Sequence, residues 1–175
     1  MSIAFTGHRP ESLPFGTNEG SEDYRKIKTL LQREIKHWAD RGHDTFYEGV
    51  ARGMDIIFGE LVLLAKKEGY PQLKLVGVIP HEEQAARWSE AWRNRYFDLM
   101  ANSDDEVLIS HQYTKDCYHS RNRYMVDHAQ VLIAVYNGSD KGGTAYTVNY
   151  ARALGRTIVV VDPSTLTRTE IPRNG

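Results

Sequence analysis

Three short segments bring together residue types that could hold an anionic ligand. The first is Thr6-Gly7-His8-Arg9-Pro10. Gly7 would let the main chain turn tightly and approach a ligand. Thr6 offers a hydroxyl, and the planar Arg9 guanidinium suits a phosphate. His8 alone is a weaker candidate, and Arg9 could equally be a solvated turn residue. The second segment is Glu48-Gly49-Val50-Ala51-Arg52-Gly53-Met54-Asp55. Gly49 and Gly53 frame a strand-to-helix turn whose backbone N–H groups could receive an anion. Asp55 either meets that ligand or stabilises a helix start. Glu48 either contacts ribose hydroxyls or is a polar strand end. The third is Asn137-Gly138-Ser139-Asp140-Lys141-Gly142-Gly143-Thr144. Gly142, Gly143 and Thr144 suit a phosphate cradle at a helix entrance, although Thr144 also fits a plain N-cap.

Two further segments are less distinctive. Arg121, Asn122 and Arg123 precede Asp127 and read as a basic helix start. Pro80-His81-Glu82-Glu83-Gln84 opens a helix, where acidic residues are favourable in any case. The histidines show no metal-ligand spacing, so no metal site is expected. The chain has neither a Gly-Lys-Ser/Thr phosphate loop, nor a Gly-x-Gly-x-x-Gly fingerprint, nor a Gly-x-Ser-x-Gly elbow. Cys117, the single cysteine, reads as a buried thiol and excludes an internal disulfide.

These loops need a frame that brings them together. Short β-type runs at 3–6, 45–48, 73–79, 106–110, 131–136 and 157–161 alternate with helical patterns. The helices are expected at 21–41, 54–67, 82–101, 118–129 and 144–154. In the first helix, Ile27, Leu30, Leu31, Ile35 and Trp38 keep one apolar face. Alternation of this kind predicts an α/β domain with helices on both faces of a mostly parallel sheet, in three α/β/α layers. All strand C-termini then lie on one edge, where such folds bind ligands. One domain is expected over 1–175, with its core at about 3–162 and a loosely held polar tail at 164–175.

Bulk composition narrows the function. Twenty-two basic and 23 acidic side chains give a net charge of −1. No global charge draws the chain to nucleic acid or an anionic membrane. No apolar run approaches a membrane span, and the first residues do not form a secretory signal. A cytoplasmic location is the expectation.

Taken in register, the loops resemble the SLOG superfamily, most closely its YpsA-like branch, over about Ile3 to Asp162. Thr6-Gly7-His8-Arg9-Pro10 resembles the opening motif. Gly49-Val50-Ala51-Arg52-Gly53-Met54-Asp55 is similar to the turn shared with DNA-processing protein A. Pro80, Gln84 and Trp88 fit the pattern after the third strand, and Arg121, Asn122 and Asp127 that before the fifth. Gly142-Gly143-Thr144 resembles the phosphate-loop signature. The resemblance implies a Rossmann-like fold that binds or senses a nucleotide or nucleotide-derived molecule. It brings no cofactor of its own. Relatives often pair, so a homodimer is an expectation of the resemblance alone.

The resemblance also sets the alternative. Lonely Guy relatives hydrolyse nucleoside monophosphates, with two glutamates closely following the glycine-rich loop. Here Ala145, Tyr146, Thr147, Val148 and Asn149 stand there instead. Cleavage of an N-glycosidic bond builds positive charge on the ribose, which a carboxylate stabilises. Only Glu48 or Asp127, from other loops, would be left to supply it. Ligand binding therefore leads, with phosphate at Arg9 and Gly142–Thr144, sugar at Glu48 or Asp127, and base at Tyr136 or Trp88. N-glycosidase or phosphoribohydrolase activity comes second and single-stranded DNA binding third.

Overall fold

A computed structural model describes residues 1–173 of the chain. Strand β1 (Ser2–Gly7) leads through a single 3₁₀ turn to helix α1 (Glu22–Ala39), then to β2 (Thr45–Glu48) and α2 (Met54–Lys67). Next come β3 (Lys74–Ile79), α3 (Glu90–Asn102), β4 (Asp105–Leu108) and α4 (Cys117–Asp127). The chain continues through β5 (Val131–Val135), α5 (Gly143–Ala153), β6 (Thr157–Asp162) and β7 (Thr167–Ile171).

The strands form one seven-stranded sheet in the order β4-β3-β2-β1-β5-β6-β7. Every neighbouring pair is parallel except β6 with β7. Two apolar clusters cover its faces. One joins Ile27, Leu31 and Ile35 of α1 to Ile56 and Phe58 of α2 and Leu99 of α3. The other joins Met125 and Val126 of α4 to Val148 and Ala151 of α5. The central strands are apolar on both faces because both are covered; β5 is buried at every position. This is the expected three-layer α/β/α architecture.

Local chemistry sets the boundaries. Ser21 caps α1 by accepting the Tyr24 N–H at 3.1 Å, with Glu22 and Asp23 in the first turn. The expected helix at 82–101 is shortened. Residues 82–87 form turns, and α3 starts only after Ser89. The buried Gln84 side chain donates to the Val50 carbonyl at 3.3 Å, and that tertiary tie holds the segment against the body.

The tail also differs from expectation. Thr167–Ile171 is an edge strand, in register from Ile158 against Ile171 to Asp162 against Thr167. Asp162 builds the connecting turn by accepting the Ser164 and Thr165 N–H groups. Arg168 then fastens the strand through its bond to Glu34 on α1, at 2.9 Å. No helix among the described residues is long and apolar enough to cross a membrane.

Candidate functional site

The strand order reverses between β1 and β5. Right-handed crossovers leave from these two neighbours in opposite directions, opening a crevice beyond their C-terminal ends. Their register places Gly7 opposite Val135, so the two following loops start side by side. A cavity of about 660 Å³ lies there, within the usual size range of small-molecule sites. Thr6, Gly7, His8 and Arg9 line it from the β1 loop, and Asp55 from the start of α2. Arg121 and Asn122 enter from α4, and Gly142, Gly143 and Thr144 from α5.

The α5 entrance presents uncapped backbone donors. No side chain caps this helix and no acidic residue occupies its first turn. Its first N–H groups have no partner within the helix, and the helix dipole adds positive potential. Gly142 has φ +99° and ψ 172°, a conformation suited to glycine. Asn137 shapes the loop by accepting the Ser139 N–H at 3.2 Å. It also joins the loop to β1, since the His8 ring nitrogen Nε2 hydrogen-bonds its side chain at 2.9 Å. Burial pushes the His8 imidazole below its ordinary value, against the opposing pull of Asn137 and Asp162.

Beneath the cavity lies a buried ionic cluster. The Arg121 side chain donates to the Gly49 carbonyl, and its Nε donates to the Asn122 side-chain oxygen at 2.6 Å. Asp55 accepts the Gly7 N–H at 3.2 Å. Burial pushes the Asp55 carboxyl up to about 6, although Arg121 and its backbone donors pull it down. Glu48 accepts the Val50 N–H at 3.0 Å, while its other oxygen has no hydrogen-bond partner. Burial and then the Asp55 charge push the Glu48 carboxyl well above the usual carboxylate range. Val50 itself takes φ +46°, rare for a β-branched residue. The bonds from its N–H to Glu48 and from Gln84 to its carbonyl hold that turn.

The expected site residues therefore fall into groups. Thr6, Gly7, His8, Arg9, Asp55, Arg121, Asn122, Gly142, Gly143 and Thr144 meet at the cavity. Glu48, Gly49 and Gly53 lie beneath or behind it, and Glu48 has no exposed surface. Pro80 and Gln84 are buried beside the β2 loop. Tyr136 turns its hydroxyl to the Ser139 carbonyl, and Trp88 packs edge-on against Tyr96. Asp127 is not brought to the cavity. It ends α4, roughly 9 Å beyond Arg121 along the axis, and accepts the Tyr150 hydroxyl there.

Other lining residues carry no ligand role in the sequence reading, although Asn137, Ser139 and Lys141 belong to its third segment. Tyr118 and His119 enter from the start of α4, and Asn137, Ser139 and Lys141 from the glycine-rich loop. Their position after β4 and β5 was the available signal. Among the described residues, no three His, Cys, Asp or Glu side chains gather as a metal-ligand set.

The Asp55 shift has a defined pH consequence. A carboxyl raised in the fold favours the protonated native state. Its contribution to stability is present below the unfolded value, near 4, and is lost as pH rises through about 6. Asp55→Asn removes that dependence. Between pH 4 and pH 7 the variant should gain on the wild type by on the order of 3 kcal/mol. Urea unfolding at each pH measures the difference, and parallel stability curves would remove Asp55 as its source.

The model of the YspA SLOG family (YpsA) matches residues 3–162, and the chain belongs to that family. A UPF0398 protein of Ligilactobacillus salivarius (strain UCC118) is 28% identical over 148 residues, covering 83% of this chain and 80% of its own. One of Bacillus pumilus (strain SAFR-032) is 28% identical over 152 residues, covering 85% and 80%. One of Bacillus thuringiensis (strain Al Hakam) is 26% identical over 155 residues, covering 87% and 83%.

Proposed function

We propose that the protein binds a nucleotide-derived small molecule in the crevice between the β1 and β5 loops. The uncapped α5 start, facing the same cavity as Arg9, Arg121 and Lys141, is the observation that carries this reading. Phosphate would sit on the Gly142–Thr144 amides, with Arg9 and Lys141 as mobile cations around it. The cavity carboxylates are Glu11 and Asp55, and Glu11 is engaged by Arg52 at 2.7 Å. Asp55 is thus the acceptor left for ribose hydroxyls, in place of Glu48 or Asp127. Family membership supports a nucleotide-related role.

Thermal unfolding with AMP, ADP-ribose and cyclic ADP-ribose tests the proposal. A ligand at 100 times its dissociation constant should add about 2.7 kcal/mol of stability. Arg9→Ala should lose most of that gain and little stability without ligand, because Arg9 is exposed. The absence of any shift across a broad nucleotide panel would refute the reading.

A further inference from the structure

The phosphate end of the cavity has its donors, but the two aromatic residues expected to take a base lie elsewhere. Trp88 is engaged on the α3 side, and Tyr136 is tied to its own loop. A different aromatic lines the cavity. Tyr118, in the first turn of α4, is half-buried and contributes to the wall. Its hydroxyl and the His81 ring nitrogen Nε2 are 3.3 Å apart. The His81 ring meets it edge-on, with centroids 5.7 Å apart. Tyr113, 66% exposed, packs edge-on against the same His81 at 5.6 Å. Tyr118 is therefore held from behind by an aromatic bracket rather than left to rotate.

Its ring is also flanked by cations. The Arg9 guanidinium lies 5.8 Å from the ring centroid and that of Arg121 5.9 Å. Arg121 is buried and fixed, whereas Arg9 is exposed on a long stem that can move. A fixed aromatic ring and a movable guanidinium plane are the two surfaces on which an unpaired base stacks.

We propose that Tyr118 is the base platform of this site, so that the ligand class is a nucleoside phosphate whose base stacks between Tyr118 and Arg9. The assignment rests on the phosphate site proposed above. Stacking recognises a π-face and not a hydrogen-bond pattern, so purines should bind more tightly than pyrimidines, with a graded preference. The Tyr118 hydroxyl, directed at His81, positions the ring and does not read the base.

Isothermal titration of the intact chain with AMP and with ribose 5-phosphate separates the two ideas. AMP should bind about 5- to 150-fold more tightly, the range that stacking on one aromatic supplies. Tyr118→Ala should abolish that advantage and leave ribose 5-phosphate binding unchanged, while Tyr118→Phe should keep it. Equal wild-type affinity for the two compounds overturns the base platform and leaves the phosphate site standing. That comparison needs no variant, so a poorly folded Tyr118→Ala does not weaken it. An unchanged AMP advantage in folded Tyr118→Ala also overturns the platform. Binding of neither compound overturns the base platform as well, while the phosphate site stands or falls with the wider nucleotide panel.

Discussion

Arg121→Met is expected to lower the unfolding free energy by about 3–5 kcal/mol near pH 7.5, and by much less at pH 5. Arg121 is a buried cation that feels the charge of two buried carboxyls, Asp55 and Glu48. Methionine replaces much of its volume but none of its charge or donors. At high pH the variant must either bury carboxylate charge without a cation or hold protons against the solvent. Both are costly, because desolvation already raises these groups with Arg121 present. At pH 5 the carboxyls are easily protonated, and the remaining loss comes from the bonds to Gly49 and Asn122. The wild type also becomes less well balanced there, since its buried guanidinium then faces neutral partners. Both effects narrow the gap as pH falls. Urea unfolding at the two pH values measures it, and equal losses at both would assign Arg121 a packing role only.

The same cluster shows what the sequence could reveal. Regular alternation of apolar runs and amphipathic helices fixes the class of fold, because parallel strands covered on both faces need that pattern. It also locates the edge that holds the cavity, so the places of Thr6, Arg9, Asp55 and the Gly142–Thr144 start follow from it. Glu48 was legible as a strand-end carboxylate but not as a buried one. Side chains alternate along β2, so Glu48 shares a face with Phe46 and points under α2. Gly59 leaves the room, since a β-carbon there would lie 2.8 Å from the Glu48 Oε1. Nothing in the local spelling of β2 announces a vacancy one helix away.

Asp127 illustrates a different limit. Motif matching supplies residue identity, but a helix carries its two ends to opposite edges of the sheet. α4 begins at the cavity edge with Tyr118 and Arg121 and ends at the far edge with Asp127. The seventh strand was hidden for a third reason. Thr167–Ile171 is mostly polar because it is an edge strand, and its place depends on Arg168 reaching Glu34, far away in sequence. Short-range patterns cannot register a contact of that separation.

Gly7→Ala is the second large effect expected, and it couples the sheet directly to the site. Gly7 ends β1, and its N–H holds the Asp55 carboxylate at 3.2 Å. A β-carbon at Gly7 would lie 2.5 Å from the Met54 Cβ and 3.2 Å from ring carbons of Phe5. Neither neighbour can yield easily, because Met54 and Phe5 are fully buried and the contact is with a Cβ close to the helix backbone. The start of α2 must therefore move away from β1, at a cost of about 3 kcal/mol for overpacking in a dense core. That movement carries Asp55 and the cavity floor with it, so stabilisation by nucleotide should fall together with the intrinsic stability. Gly143→Ala supplies the contrast. A β-carbon there meets only the Asn122 amide nitrogen, at 3.8 Å, so the fold should tolerate it. Thermal unfolding of the two variants, with and without nucleotide, compares a glycine required by packing with one that the proposed phosphate site requires. If Gly7→Ala unfolds like the wild type, the close approach of β1 and α2 does not limit stability. The cavity floor would then owe its shape to the ionic cluster around Arg121 and not to this contact.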